Sequence, residues 1–348
     1  QNYYTKEYDL SKLKGVWYIV EPFSGYKGAA HTFLSFEFEN SVFLSVSVEI
    51  RKEVGEINPY IVEGKILYIH TRQTPLSDFP EMNFGNMPAD GGKLLFTPEE
   101  KEDFVSKEPN SEKYFYKLIS ADEFINGKER WCLWLEGVTK EILKSMPLID
   151  NRVNELYKIR IESSRPQLAE IPHLFAQITQ PKEKDYILIP RHSSENREYI
   201  PIGYFSSENK AHDSCLIIPT KEIYLFGIIT SKIHMAWVHA VCGRLETRYR
   251  YSKDVVYNNF PFPEINQEQK QEIERNVYAV LAEREKHSEK TLAQRYDPDK
   301  MPDGLREAHH QLDLAVERCY RSKPFVNDEE RLEYLFKLYE QMIAEEKE

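Results

Sequence analysis

Apolar residues follow three different spacings along the chain, and each spacing predicts a different kind of element. Up to residue 56, aromatic and β-branched residues crowd into short runs: Val16-Trp-Tyr-Ile-Val20, Thr32-Phe-Leu-Ser-Phe-Glu-Phe38 and Val42–Ile50. Turn material at Ser24-Gly25 and Glu39-Asn40 separates them, so this segment reads as β-strands. From Ile57 to Phe262 the texture is mixed. Helices are expected over Thr97–Lys107, with Thr97 as N-cap and Pro98 at the first helical position, over Thr139–Arg160, and over Ser231–Val241. Between them, the apolar runs Trp131–Leu135, Tyr186–Ile189, Ile200–Phe205, Ser214–Ile218 and Ile223–Ile229 read as strands. Beyond the proline-punctuated Asn259-Phe-Pro-Phe-Pro263, helical spacing returns at 266–287, 303–321 and 327–346, with Pro298, Pro302 and Pro324 at the breaks. The expectation is an α+β protein in three parts. A β-rich segment (1–56) precedes a mixed α/β domain (57–262), and a small C-terminal helical bundle (263–348) packs against that domain.

One stretch stands apart. In Gly243-Arg-Leu-Glu-Thr-Arg-Tyr-Arg-Tyr-Ser252, an extended backbone would send Arg244, Glu246, Arg248 and Arg250 to one side. Leu245, Thr247, Tyr249 and Tyr251 would line the other. A solvated edge strand with self-neutralising charges has this alternation too. A file of arginines with one carboxylate also suits base edges in a DNA groove, where Arg pairs with guanine O6/N7 and Glu accepts from cytosine N4.

Charge sharpens that choice only slightly. The chain of 348 residues carries a formal charge of −11, which excludes a protein that coats nucleic acid by bulk attraction. Asn151–Phe262 nevertheless holds 15 Lys/Arg against 12 Asp/Glu, a balance of +3 that leaves −14 for the remainder. A mildly basic middle fits a binder that relies on local placement of arginine. The chain has no apolar run of about 18 residues and no charged-then-apolar leader pattern at its start, so a cytoplasmic location without a membrane partner is expected. The four cysteines (Cys132, Cys215, Cys242 and Cys319) are scattered, which predicts buried thiols and no structural zinc site.

From Ile57 onward, a series of longer motifs accumulates. They are Ile57-Asn-Pro-Tyr60, Phe84-Gly-Asn-Met-Pro-Ala-Asp-Gly-Gly92, Arg130-Trp-Cys-Leu-Trp-Leu135 and Ser193-Ser-Glu-Asn-Arg-Glu-Tyr-Ile-Pro-Ile-Gly203. Phe226–Trp237, Cys242-Gly-Arg-Leu245, Tyr249-Arg-Tyr-Ser252 and Val256–Pro263 complete it. In this order they resemble the C-terminal half of the MmeI-like single-chain restriction–modification enzymes. Those enzymes join a nuclease, an adenine methyltransferase, a target recognition domain and a C-terminal helical region. The resemblance covers residues 57–348 and implies a module that recognises double-stranded DNA. It further implies that the positions between Gly-Arg-Leu and Tyr-Arg-Tyr-Ser change with the recognised base. Here these are Glu246 and Arg248, an acid/Arg pair complementary to a C·G pair in the major groove. Arg191 with Asp213 is a second candidate pair for C·G, and Arg250 with Ser214 beside it is a third. Phosphate positioning falls to Ser193, Ser194, Arg197, Lys232, Arg244 and Lys253, each of which would otherwise be an ordinary exposed polar group. His234 and Trp237 share a helical face and are expected to pack it, while Tyr257, Phe260 and Phe262 read as a packed hinge.

The resemblance does not extend to catalysis. An amino-methyltransferase needs an Asn/Asp-Pro-Pro-aromatic motif and a Gly-rich loop for S-adenosylmethionine, and Asn58-Pro59-Tyr60 has a single proline. Asp90 with Glu99-Glu100-Lys101 mimics a Mg²⁺ nuclease, but Thr97-Pro98-Glu99-Glu100 also reads as a helix cap. No cofactor is therefore expected here. S-adenosylmethionine and Mg²⁺ belong to other domains of such enzymes, and a separately encoded methyltransferase or nuclease is a candidate partner. Residues 6–56 instead resemble a fragment of an uncharacterised bacterial envelope domain, in which His31 would be a candidate site. Two alternatives follow: a hydrolase-like fusion acting near His31, or a docking subunit whose acidic tail (Gln267–Glu348) grips a methyltransferase and can be removed without harm to DNA binding.

Overall fold

The computed structural model describes the backbone at 18–23, 32–39, 42–50 and 61–62, and the chain from 67 to 346 except residue 246. His31, Glu246 and the junction at 56/57 lie outside the described residues. The expected N-terminal strands form: β1 (Tyr18–Phe23), β2 (Thr32–Glu39) and β3 (Val42–Ile50). β2 and β3 pair antiparallel from Thr32↔Ile50 onward. β1 lies antiparallel to β4 (Ile61–Val62) and parallel to β5 (Leu67–His70), so the first segment adds its strand to the region that follows it.

Two four-stranded sheets organise the middle of the molecule. One has the order β12-β10-β14-β6, from β6 (Asn83–Phe84), β10 (Tyr186–Pro190), β12 (Gly203–Phe205) and β14 (Cys215–Pro219). Its central pair runs in register Ile187↔Ile218, Leu188↔Ile217 and Ile189↔Leu216. Alternation then sends Ile187, Ile189, Leu216 and Ile218 into the largest core and Tyr186, Leu188, Cys215 and Ile217 into a smaller one on the opposite face. Burial on both faces explains why these strands read as continuous apolar runs. The second sheet, β13-β8-β9-β7, comprises β7 (Leu95–Phe96), β8 (Phe115–Ile119), β9 (Trp131–Leu133) and β13 (Lys210–Ala211).

Helices α1 (Pro98–Lys107), α2 (Ala121–Asn126), α3 (Lys140–Lys144) and α4 (Pro147–Ile161) accompany it. The cap expected for α1 is present in full: Thr97 Oγ1 accepts from the Glu100 N–H, and the Glu100 carboxylate accepts from the Thr97 N–H. The single helix expected over 139–160 is two, because Pro147 begins a new one at its first turn.

Ile223–Ile229, expected as a strand, is helix α5 (Ile223–Thr230). Every residue of it is buried, and an apolar run without a polar face has no period by which to tell strand from helix. α6 (Lys232–Val241) follows as expected. At the C-terminus, α7 (Gln267–Glu285), α9 (Asp303–Tyr320) and α10 (Asp328–Glu346) match the predicted bundle, and a short α8 (Leu292–Arg295) was not foreseen.

The tail is not a detachable appendage. One core takes in α5 and α6, the hinge residues Tyr257, Phe260 and Phe262, and Ile273, Val277, Leu312 and Phe336 from the C-terminal helices. Asp313 of α9 reaches across to the amino end of α6, where its carboxylate accepts the Lys232 N–H (2.7 Å) and the Tyr199 hydroxyl (2.7 Å). Removing the tail would open this core, which argues against the expectation that the remainder would still bind DNA alone.

Candidate nucleic-acid interface

The third sheet is small and lies at the edge of the fold: β11 (His192–Ser193), β16 (Arg248–Arg250) and β15 (Gly243–Leu245), in the order β11-β16-β15. The decamer is thus not one extended strand. It folds back on itself with Leu245 opposite Arg248, Arg244 opposite Tyr249 and Gly243 opposite Arg250. Residues paired across an antiparallel ladder share a face. Arg248 and Arg250 therefore project outward beside Leu245, and all three are exposed. Arg244 is carried to the opposite face, against expectation. Its guanidinium lies over the Tyr249 ring at 4.2 Å and donates to the Thr247 carbonyl (3.0 Å).

That inner face ties the sheet to the core. Tyr249 stacks on His239 (5.3 Å, 17°), and the Tyr251 hydroxyl meets His234 Nε2 at 2.8 Å. His234 and Trp237 are buried, as expected of residues that pack α6, and Trp237 Nε1 donates to the Val256 carbonyl. Burial pulls the His234 imidazole down to about 3, so it stays neutral.

A second set of contacts brings in the distant candidates. Arg191 directly precedes β11, and its carbonyl accepts from the Tyr251 N–H (2.8 Å) while its own N–H donates to the Ser214 carbonyl (3.1 Å). Its guanidinium lies over the Phe84 ring at 4.8 Å and donates to the Asp213 carbonyl (3.1 Å). Arg191, Asp213 and Ser214 thus meet, but through the Asp213 backbone and not through its carboxylate.

The loop carrying Asp213 is held from beneath by the Phe84–Gly92 motif. Asn86 O accepts the Asp213 N–H (3.0 Å), and its buried side chain is bonded to Gln180, Ala211 and the Thr179 and Gln180 amides. Gly85 is required by closeness, since a Cβ there would lie 2.2 Å from the His212 carbonyl oxygen. The Ser214 hydroxyl accepts from the Ala121 N–H at the start of α2 (3.0 Å) and lies 3.0 Å from His212 Nδ1. That nitrogen also meets the Ser214 N–H (3.1 Å) and lies 3.2 Å from the Asp213 carboxylate. Ser214 therefore fastens the loop and is partly exposed beside Arg191.

The phosphate candidates surround the sheet, each with an internal partner. Ser193 is 3% exposed and its hydroxyl receives Arg197 Nη1 (3.3 Å), which takes it away from solvent. Ser194 Oγ accepts from the Asn196 N–H. Lys232 Nζ lies 3.2 Å from Glu198, and Lys253 Nζ lies 3.6 Å from Asp254.

Sequence reasoning missed two members of this surface. Glu195 accepts from the Thr247 side chain, and this bond, helped by Arg244 and Arg248, holds its carboxyl below the usual range. His192 pairs with Arg250 in the sheet, and burial followed by Arg191, Arg250 and Arg248 pushes its imidazole down. Neither has a local signal, because each acquires its neighbours only through strand register. The nuclease-like grouping is accounted for otherwise: the Asp90 carboxylate accepts the Leu94 N–H, and Glu100 serves the α1 cap. Among the described residues there is no cluster of three potential metal ligands, and no helix is long and apolar enough to cross a membrane.

The comparisons with known proteins now bear on this geometry. The family model described as the MmeI target recognition domain matches residues 63–264, more than half of the chain. The chain belongs to the MmeI target recognition domain family. The MmeI C-terminal domain model matches residues 265–345, and a third model, the Lnb N-terminal periplasmic domain, matches residues 1–64. The solved structure of the type IIL restriction–modification enzyme MmeI in complex with DNA is similar, with a TM-score of 0.79 and 39% identity over 90% of this chain and 42% of that one. DNA methyltransferase A of Bacillus subtilis (strain 168) is 44% identical over 297 residues, 84% of this chain and 34% of the relative. The chain thus spans about a third of that curated relative and carries the recognition and C-terminal domains of the MmeI type.

Proposed function

We propose that this chain is a sequence-specific double-stranded DNA recognition module of a restriction–modification system, reading base pairs in the major groove with the outward face of the β11-β16-β15 sheet. The observation that carries the reading is the strand register, which sets Arg248 and Arg250 side by side and exposed, with Arg191 at the head of the neighbouring strand. An arginine fork donates two parallel hydrogen bonds to guanine O6/N7, and Glu246 and Asp213 supply the acceptors suited to the paired cytosine. On this reading Arg244, Arg197, Ser194, Lys232 and Lys253 position the phosphates by exchanging an internal partner for a phosphate oxygen. Ser214, beside Arg191, is a further base-reading candidate with Arg250, while Ser193 acts inside the fold.

Methyl transfer and strand cleavage fall outside these residues. Either further domains of a longer polypeptide supply them or a separately encoded methyltransferase or nuclease does. Support for this comes from the single proline in Asn58-Pro59-Tyr60 and from the third of the curated relative that the chain spans.

The test is selection of bound duplexes from a randomised pool at two salt concentrations. The expected result is an enriched motif of several base pairs, with C·G positions that relax on Arg248→Ala or Arg191→Ala. The double variant Glu246→Lys with Arg248→Asp should alter the preferred pair at one position while leaving non-specific affinity nearly unchanged. Binding without enrichment that vanishes at the higher salt would sink the proposal, because only phosphate contacts behave so.

A further inference from the structure

The outward face of the small sheet holds one more side chain than the motif accounts for. β11 pairs His192 with Arg250, and β15 pairs Gly243 with the same arginine, so His192, Arg250 and Gly243 form one row across three strands. Leu245 and Arg248 form the next row on that face, two residues along β16. The other face is turned inward, with Ser193 and Tyr249 buried. Gly243 leaves a gap in the first row: a Cβ built there meets nothing within 4 Å. A base edge can therefore approach Arg250 closely, and the imidazole beside that approach belongs to His192.

We propose that His192 is a further specificity-determining residue, donating one imidazole N–H to purine N7 of the base pair next to the one read by Arg250. This deepens the DNA-reading function above and rests on it. The chemistry limits what His192 can distinguish. A neutral imidazole has one N–H donor and one acceptor on opposite sides of the ring, so a single nitrogen faces the base. In the major groove adenine and guanine both offer N7 as an acceptor, while pyrimidines offer no acceptor at that place. A lone N–H thus selects purine over pyrimidine and does not separate adenine from guanine. Partial burial, followed by Arg191, Arg250 and Arg248, favours the neutral form that this requires. The proposed position is therefore a degenerate one, next to a position that the Arg250 fork reads fully.

The full chain and its His192→Ala, His192→Asn and Arg250→Ala variants would be put through the duplex selection, with circular dichroism checking that each is folded. Wild type should require a purine at one position. His192→Ala should relax that position about tenfold toward all four bases, with every other position retained. His192→Asn, which keeps an N–H at similar reach, should preserve most of the purine preference, and Arg250→Ala should relax a different, adjacent position. If His192→Ala changes no position, or weakens all of them alike, while Arg250→Ala still relaxes one, His192 is not a reader and the broader function stands. If neither variant changes any preference, or wild type enriches no motif, the DNA-reading function falls and His192 falls with it.

Discussion

Arginine does two different jobs in this molecule, and the contrast between the α4 side and the small edge sheet shows how to tell them apart. Arg160 of α4 is 1% exposed and donates to five backbone carbonyls: Pro88, Ala89, Leu168, Ile171 and Leu174. It closes the Phe84–Gly92 turn onto the 168–174 segment, and burial lowers its guanidinium's affinity for the proton. Arg284 and Arg331 are likewise buried, the one bonded to Tyr296 and the Ile202 carbonyl, the other to Glu317. Arg248 and Arg250 sit on the short central strand of a three-stranded sheet and are exposed. The lesson is that an arginine's role follows from what its backbone position leaves it facing. Side-chain type and local charge count do not distinguish the two groups.

The largest expected effect comes from the core that the C-terminal helices share with α5 and α6. Truncation after Pro263 removes the partners of α5 and α6, and cooperative thermal unfolding should be lost along with any selective binding. A truncated chain that melts cooperatively would show that the shared core is dispensable. Arg160→Ala leaves several buried carbonyls without a donor and should cost about 3 kcal/mol in chemical denaturation. Its base preference should survive wherever it stays folded. Arg248→Ala should do the reverse, losing about 1–3 kcal/mol of discrimination at one position with the melting temperature unchanged.

The pH dependence concerns the inner face of the edge sheet. His234 is held neutral, down to about 3, so the unfolded chain binds its proton first and stability falls with pH from about 6.5 toward 3. His309, also lowered by burial, adds in the same direction. Asp313, raised by burial to about 7, opposes them, because its contribution is lost as pH rises from about 4 to 7. Urea midpoints should show His234→Gln flattening the acid slope by up to about 1.4 kcal/mol per pH unit. Least of all, Gly243→Ala should leave stability within about 0.5 kcal/mol, since nothing lies near the new methyl group. Its effect belongs in the binding measurement, where the methyl fills the gap beside Arg250.

Much of this architecture was legible in the sequence where a local device specified it. The Thr97/Glu100 cap, the proline breaks and the spacing of the three long C-terminal helices all act within a few residues. α5 was misread because burial on all sides erases periodicity, and the decamer was misread because alternation fits one long strand and a hairpin equally well. The tail looked separable because an acidic outer face hides a shared apolar inner one. His192 and Arg160 escaped notice for one reason: their partners lie across strands or up to 72 residues away. The candidate readers Glu246, Arg248 and Arg250 rest on charge alternation together with resemblance to a family, and the pairing of Arg191 with Asp213 rests on the resemblance alone.

Asn86 and Gly85 fix the 211–215 loop through main-chain atoms: Asn86 with Ala211 and Asp213, and Gly85 with Cys215. Arg191 and Ser214 join the loop to the sheet in the same way. None of these bonds involves the Asp213 carboxylate, and the sheet pairing involves no Arg248 or Arg250 head group. Side chains at these positions can therefore be replaced while the frame that aims them stays put. On the proposed reading, such an arrangement would let one scaffold be reissued with a different reading surface.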